Sequence, residues 1–179
     1  LATPMSIMVG MGTGARMGIL FRSAESLETL SQIKALVFDK TGTLTEGRPS
    51  LTDVFAVEPF NEEKLIQLAA SIEQASEHPI AKAILQGAQE RGVALLPVTD
   101  FKSETGRGIV GRVEDSKVIA GIPSLLDDYG IDVNLKDERI EIWRKEGKSV
   151  IFIGARGLWA GVIAISDPIK SGTFAAIGE

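Results

Sequence analysis

The sequence predicts an α+β fold, strands with helices packed on them, set between two short flanks of an α/β parent domain. Three observations lead there. From residue 51 to about 160, short apolar runs bounded by turn residues alternate with longer stretches of helical periodicity. Ahead of this unit, Ala35-Leu36-Val37-Phe38 is a continuous apolar run, the pattern of a strand buried on both faces of a parallel sheet. Behind it, Ser166-Asp167-Pro168-Ile169-Lys170 opens a new helix-like segment. Two connections to one parent, on either side of a compact unit, mark an inserted domain.

In chain order, residues 1–20 are apolar and glycine-rich, with Arg16 as the only charge. They lack the basic start of a signal peptide, and Gly10, Gly12, Gly14 and Gly18, at roughly 1 kcal/mol each, argue against a stable helix. The expected reading is a stretch cut from something longer; a buried amphipathic helix is the lesser alternative. Residues 23–30 have helical spacing and an acidic first turn. Residues 51–57 read as a strand, and Asn61 caps a helix that runs to about Glu73 with Glu62 and Glu63 in its first turn. A loop over 74–78 precedes Pro79, well placed at the first position of a second helix closed by Gly92. Strands are expected at 98–104, 109–113 and 117–120, the last two joined by Glu114-Asp115-Ser116. A short helix after Pro123, a longer one over 135–146, and strands 149–154 and 158–165 around Ala155-Arg156-Gly157 complete the unit.

Composition narrows the function. Of 179 residues, 44% are hydrophobic and 24% charged, which excludes a wholly disordered chain. The absence of cysteine excludes a disulfide scaffold, a thiolate zinc site and a cysteine nucleophile. A net charge of -5 argues against a surface for nucleic-acid backbones, so no nucleic-acid partner is expected. No apolar run reaches the roughly 18 residues of a membrane span.

The chemistry is carried by Asp39-Lys40-Thr41-Gly42-Thr43-Leu44-Thr45-Glu46-Gly47, directly after the first apolar strand. A carboxylate at a strand's carboxyl end can attack a γ-phosphoryl group in line and form an aspartyl phosphate. Lys40, with the backbone and hydroxyls of Thr41 and Thr43, offsets charge on the transferred group, and Gly42 lets the loop turn tightly. A simple capping turn would account for only four of these nine residues. The nine resemble, without a departure, the phosphorylation signature of P-type ATPases, a branch of the haloacid-dehalogenase-like fold. Phosphatases of that superfamily carry a second aspartate two positions after the nucleophile. Thr41 stands there and cannot act as acid or base, which disfavours a soluble phosphatase.

Ser76-Glu77-His78-Pro79-Ile80 resembles the Ser-Glu-His-Pro motif of the heavy-metal-transporting subgroup. That resemblance implies that His78 packs near adenine and that Glu73, five residues before it, lines the same pocket. His78 is the only histidine, so no histidine cluster for a metal exists. Gly106-Arg107-Gly108-Ile109-Val110-Gly111 matches the letters of a dinucleotide fingerprint, but β-like sequence follows where a helix should open, and that reading is rejected. Gly106 and Gly108 instead resemble the subgroup's Gly-x-Gly, where missing side chains let backbone approach the nucleotide; a glycine turn without a ligand is the alternative. Where the subgroup commonly has Gly-Asn this chain has Gly121-Ile122, and Ile122 brings no hydrogen-bonding group. Asp167-Pro168-x-Lys170 resembles the hinge where the chain returns to the phosphorylation domain, although a proline-led helix start gives the same letters.

The resemblance runs along nearly the whole chain. It implies a nucleotide-binding domain at 51–160, an antiparallel sheet with flanking helices, inserted in a truncated haloacid-dehalogenase-like α/β phosphorylation domain. Residues 1–31 would be a membrane-exit arm and short helix, 32–50 the first strand and phosphorylation loop, and 161–179 the return hinge and the start of the second part. The implied parent couples ATP hydrolysis, through phosphorylated Asp39, to export of a heavy-metal ion, Cu+ ahead of Zn2+ or Cd2+. It would lie in a membrane, the bacterial inner membrane being expected, with this segment on the cytoplasmic side. ATP and Mg2+ are the implied cofactors, Asp39 and Thr41 holding Mg2+ in the parent, and the transported ion is not bound by this segment. Its partners would be the rest of the phosphorylation domain, the actuator domain and the transmembrane domain. The family's Thr-Gly-Asp and Gly-Asp-Gly-x-Asn-Asp motifs do not occur in these residues, so ATP binding without turnover is expected. The alternative is a stand-alone nucleotide-binding module.

Overall fold

The computed structural model describes residues 2–178, and the chain divides into two units, residues 1–38 and 39–179. The first unit holds α1 (Ala2–Arg16) and α2 (Ala24–Leu30). A helix over the glycine-rich arm overturns the sequence expectation. The glycines sit where neighbours come close: an added Cβ would lie 3.0 Å from Leu27 Cδ2 at Gly10 and 2.8 Å from Phe21 Cε2 at Gly14. Close packing of α2 and the returning chain thus outweighs poor intrinsic propensity. The N-cap of α2 is as read, Ser23 accepting from the Ser26 N–H at 3.3 Å.

The expected strand at 35–38 does not form. Leu36, Val37 and Phe38 are 60%, 95% and 47% exposed. A strand with two apolar faces needs neighbours to complete its hydrogen-bond ladder and layers to cover it, and none of the described strands pairs with these residues.

The second unit is built on one six-stranded antiparallel sheet. Its strands are β1 (Ser50–Ala56), β2 (Val98–Glu104), β3 (Gly108–Val113), β4 (Ser116–Gly121), β5 (Ser149–Ala155) and β6 (Leu158–Ser166), in the order β1-β6-β5-β4-β3-β2. On one face lie α3 (Glu62–Glu73) and α4 (Pro79–Glu90), and on the other α5 (Pro123–Asp128) and α6 (Glu138–Lys145). Cover on both faces explains why β5 reads as an apolar run. Phe152 faces Leu125, Leu126 and Ile140, while Ile153 belongs with Leu65, Ile72 and Ile84 on the other side.

Helix starts follow their caps. Asn61 accepts from the Lys64 N–H at 2.8 Å, and Pro79 takes the first position of α4 behind His78. The helix expected over 135–146 begins later, because Asp137 caps it by accepting from the Arg139 N–H at 3.0 Å. After β6 the chain returns along residues 45–48 and ends its described part in α7 (Thr173–Gly178).

Candidate functional site

A cavity of about 550 Å³ opens where the α3–α4 loop, the β2–β3 turn, the end of β4 and the start of β5 meet. Glu73, His78, Gly106 and Gly108, far apart in sequence, all line it. Glu73 ends α3 and is only 6% exposed; burial pushes its carboxyl above the usual range, and a hydrogen bond from Ser76 offsets part of that. His78 caps α4 with its side chain, Nδ1 accepting from the Ile80 N–H at 3.2 Å. In the neutral ring this bond puts the proton on Nε2, the nitrogen left for a ligand. The His78 N–H donates to Ser76 Oγ at 3.3 Å, tying the loop to its own helix start.

Gly106 has φ +73°, and an added Cβ would meet nothing within 4 Å. Gly108 is different. At φ +143° its added Cβ would fall 2.6 Å from Gly121 Cα and still closer to the Ala120 carbonyl oxygen. Gly108 and Gly121 are direct partners across β3 and β4, so each leaves room for the other's strand. The need for glycine at 108 therefore comes first from β4, a reason the sequence did not reveal. Ile122 is 42% exposed and adds apolar wall. Sequence reasoning missed Ser149, Val150 and Ile151, which line the cavity from β5; no local motif marks them, since only the pairing of β5 with β4 brings them there.

The Asp39 loop forms a second cluster, and none of Asp39, Lys40, Thr41 or Thr43 lines the cavity. Asp39 is exposed. Thr41 (φ -78°, ψ 120°) and Gly42 (φ 78°, ψ -17°) make a type II turn, whose third residue favours glycine. Lys40 Nζ donates to the Gly147 carbonyl at 3.4 Å. The return segment is fastened to this loop. Asp167 accepts from Thr45 Oγ1 at 2.5 Å and from the Arg48 N–H at 3.0 Å, and Lys170 Nζ donates to the Gly42 carbonyl at 2.7 Å. Among the described residues no group of three or more His, Cys, Asp or Glu could hold a metal. The Asp39 carboxylate and a backbone carbonyl such as that of Thr41 are hard oxygen donors of the kind Mg2+ accepts alongside water and phosphate.

The chain belongs to the haloacid dehalogenase-like hydrolases, whose family model matches residues 33–179. Within that superfamily it is a homologue of copper- and heavy-metal-transporting P-type ATPases. It is 48% identical over 177 residues to a copper-transporting P-type ATPase of Rhizobium leguminosarum bv. viciae, covering 99% of this chain and 21% of that one. Against a silver exporting P-type ATPase of Salmonella typhimurium the identity is 42% over 173 residues, 97% of this chain and 21% of the other. A zinc-transporting PIB-type ATPase in its E2.Pi state has a TM-score of 0.78 at 29% identity over 98% of this chain and 28% of that chain. The catalytic domain of the CPx-ATPase CopB-B gives 0.61 at 28% identity over 89% and 54%. The chain spans about a fifth of the length of the curated relatives it matches.

Proposed function

We propose that this chain is the ATP-binding part of a P-type ATPase that exports a heavy-metal ion, Cu+ ahead of Zn2+ or Cd2+, from the cytoplasmic side of a membrane. One observation carries the reading: Glu73 and His78, with Gly106 and Gly108 some thirty residues further along the sequence, line a single cavity. Adenine enters between the apolar side chains of Ile80, Ile122 and Ile151 and the imidazole of His78, with the buried Glu73 as its polar anchor. Residues 51–160 are the nucleotide-binding domain, 32–50 and 161–179 the two flanks of the phosphorylation domain, and 1–31 the arm leaving the membrane.

In the parent, an oxygen of Asp39 bonds to the γ-phosphorus as the bond to the bridging oxygen of ADP breaks, and water later releases phosphate. Lys40 and Thr43 offset charge on the transferred group, Asp39 and Thr41 hold Mg2+, and Mg2+ supplies further neutralisation when bound. Thr41 offers no second carboxylate to hasten hydrolysis, so the phosphoenzyme lasts long enough to drive a transport cycle. This chain by itself binds ATP without turning it over.

The test is an ATP titration followed by 15N–1H NMR, wild type against His78→Asn. Asparagine is also a good N-cap, so α4 is preserved while the imidazole is lost. The expected result is saturable shifts at Glu73, His78, Gly106 and Gly108, with affinity about tenfold weaker in the variant. Shifts elsewhere, or equal affinity, would sink the pocket assignment. Stable Asp39-dependent labelling by γ-labelled ATP and Mg2+ would overturn the absence of turnover.

A further inference from the structure

Away from that cavity, a second hollow of about 410 Å³ lies against β2, β3 and β4. Its wall carries Lys102, Arg112 and Lys117 against a single carboxylate, Asp100, with Tyr129 beside them. Strand register explains how three cations meet. Arg112 stands directly opposite Lys117 across β3 and β4, and Lys102 stands opposite Val110, two residues along β3 from Arg112. All three therefore share the face of Val110 and Ile119, which α5 and α6 cover over β4 and β5 and leave open toward the β2 edge.

Lys102 reaches that face only because of an irregularity. Between Thr99 and Lys102 the pairing slips by one residue; in a regular ladder Lys102 would oppose Ile109 and point into the α3 side. The slip is made by a bulge in which Asp100 adopts φ +53°, a left-handed conformation uncommon outside glycine. The chain thus accepts local strain, and the bulge turns a third positive charge toward the other two.

The arrangement also stands against its own electrostatics. Like charges directly opposite in a sheet are destabilising. Among the described residues none of the three forms an ion pair, although the chain as a whole carries a net charge of -5. Arg112 Nη2 donates to the Asp115 carbonyl at 3.0 Å, which aims the guanidinium without neutralising it. The Lys117 ammonium lies 5.1 Å from the centre of the Tyr129 ring.

We propose that this hollow binds a small phosphate-bearing anion, with Lys102, Arg112 and Lys117 supplying the charge and Tyr129 one wall. Three cations against one carboxylate leave two positive charges, which matches a phosphate dianion, and the planar fork of arginine suits two phosphate oxygens at once. The volume admits a small molecule and not a folded partner. The site shares no lining residue with the cavity around Glu73 and His78.

The test titrates the intact chain with inorganic phosphate and separately with pyrophosphate at fixed ionic strength, read by 15N–1H NMR. Saturable shifts at Lys102, Arg112, Lys117 and Tyr129, with Glu73 and His78 unmoved, are expected from at least one of the two. Lys117→Met keeps the stem on Tyr129 and removes the charge; it should weaken binding about tenfold, and Lys117→Arg should restore it. Without ligand, Lys117→Met should melt at or above wild type, because a repulsion is relieved. Non-saturating shifts with both anions, shifts confined to Glu73 and His78, undiminished binding in Lys117→Met, or a lowered melting temperature for that variant would each overturn the proposal.

Discussion

Gly108→Ala is the sharpest perturbation of the sheet that frames the cavity. The new methyl would sit 2.6 Å from Gly121 Cα, 2.9 Å from Leu125 Cδ2 and closer still to the Ala120 carbonyl oxygen. Even a weak carbon–oxygen contact holds about 3.3 Å, so β3 and β4 must part by about 1 Å at this end. Parting them weakens roughly two backbone hydrogen bonds at about 1 kcal/mol each, and alanine at φ +143° adds about 1–3 kcal/mol. The total is about 3–5 kcal/mol, a fall of about 10 °C in melting temperature for a chain of this size. Gly106→Ala is the matched control: its φ is +73° but its methyl meets nothing, so the expected loss is about 1 kcal/mol, or about 3 °C. Thermal unfolding by circular dichroism at neutral pH compares the two. Melting temperatures within 2 °C of each other, a margin of about 0.7 kcal/mol, would refute the argument that β4 dictates glycine at 108.

Other outcomes follow from groups already described. Burial raises the Glu73 carboxyl above its ordinary value of 4.5, so its contribution to stability is full below that value and is lost as pH rises through the folded one; Glu73→Gln should melt higher than wild type at pH 7, and a difference that does not narrow toward pH 4 would refute this. Burial pushes the Asp53 carboxyl up, but hydrogen bonds from Lys148 and Thr52 more than offset it and hold it below 3.8. Lys148 also pairs with Glu146, both contacts being 2.8 Å, so Lys148→Met should lose about 1–2 kcal/mol at pH 7. The Asp53 part of that loss should fade as acid carries the pH down through the folded value, read by urea denaturation at pH 7 and pH 3. Thr45→Val removes the hydroxyl of a side chain only 1% exposed, so the Gly42 N–H loses its acceptor and Asp167 Oδ2 its donor while Oδ1 keeps the Arg48 N–H; about 2 kcal/mol of local stability should go, seen as about thirtyfold faster exchange of the Thr45, Glu46 and Lys170 amides.

What the sequence revealed was mostly local chemistry. Asn61, His78 with Pro79, and Gly92 mark helix ends within a few residues of themselves, and the β3–β4 and β5–β6 hairpins have their turns beside their strands. Where the outcome depended on distant neighbours, the letters misled. Residues 35–38 carry a strand's composition without a described strand to pair with, and α1 is stabilised by contacts that its glycines permit rather than by propensity. The helix expected from residue 135 starts at Glu138 instead, because Asp137 holds the cap. For the cavity, Glu73, His78, Gly106 and Gly108 were legible through motifs, whereas Ser149, Val150 and Ile151 belong to an ordinary buried strand that reaches the site only through sheet pairing.

Where the chain enters and leaves the sheet, Arg48 and Asp167 lie within a hydrogen bond of each other. A host that accepts this unit therefore meets only a gap a few ångströms wide, not a long loop to be closed, and the entropy of closure is already met by the fold. The same nearness makes the unit portable. Cutting just outside that pair and joining its ends by a few glycines should yield a circular permutant with new termini at a distant turn such as Gly157, its sheet order unchanged.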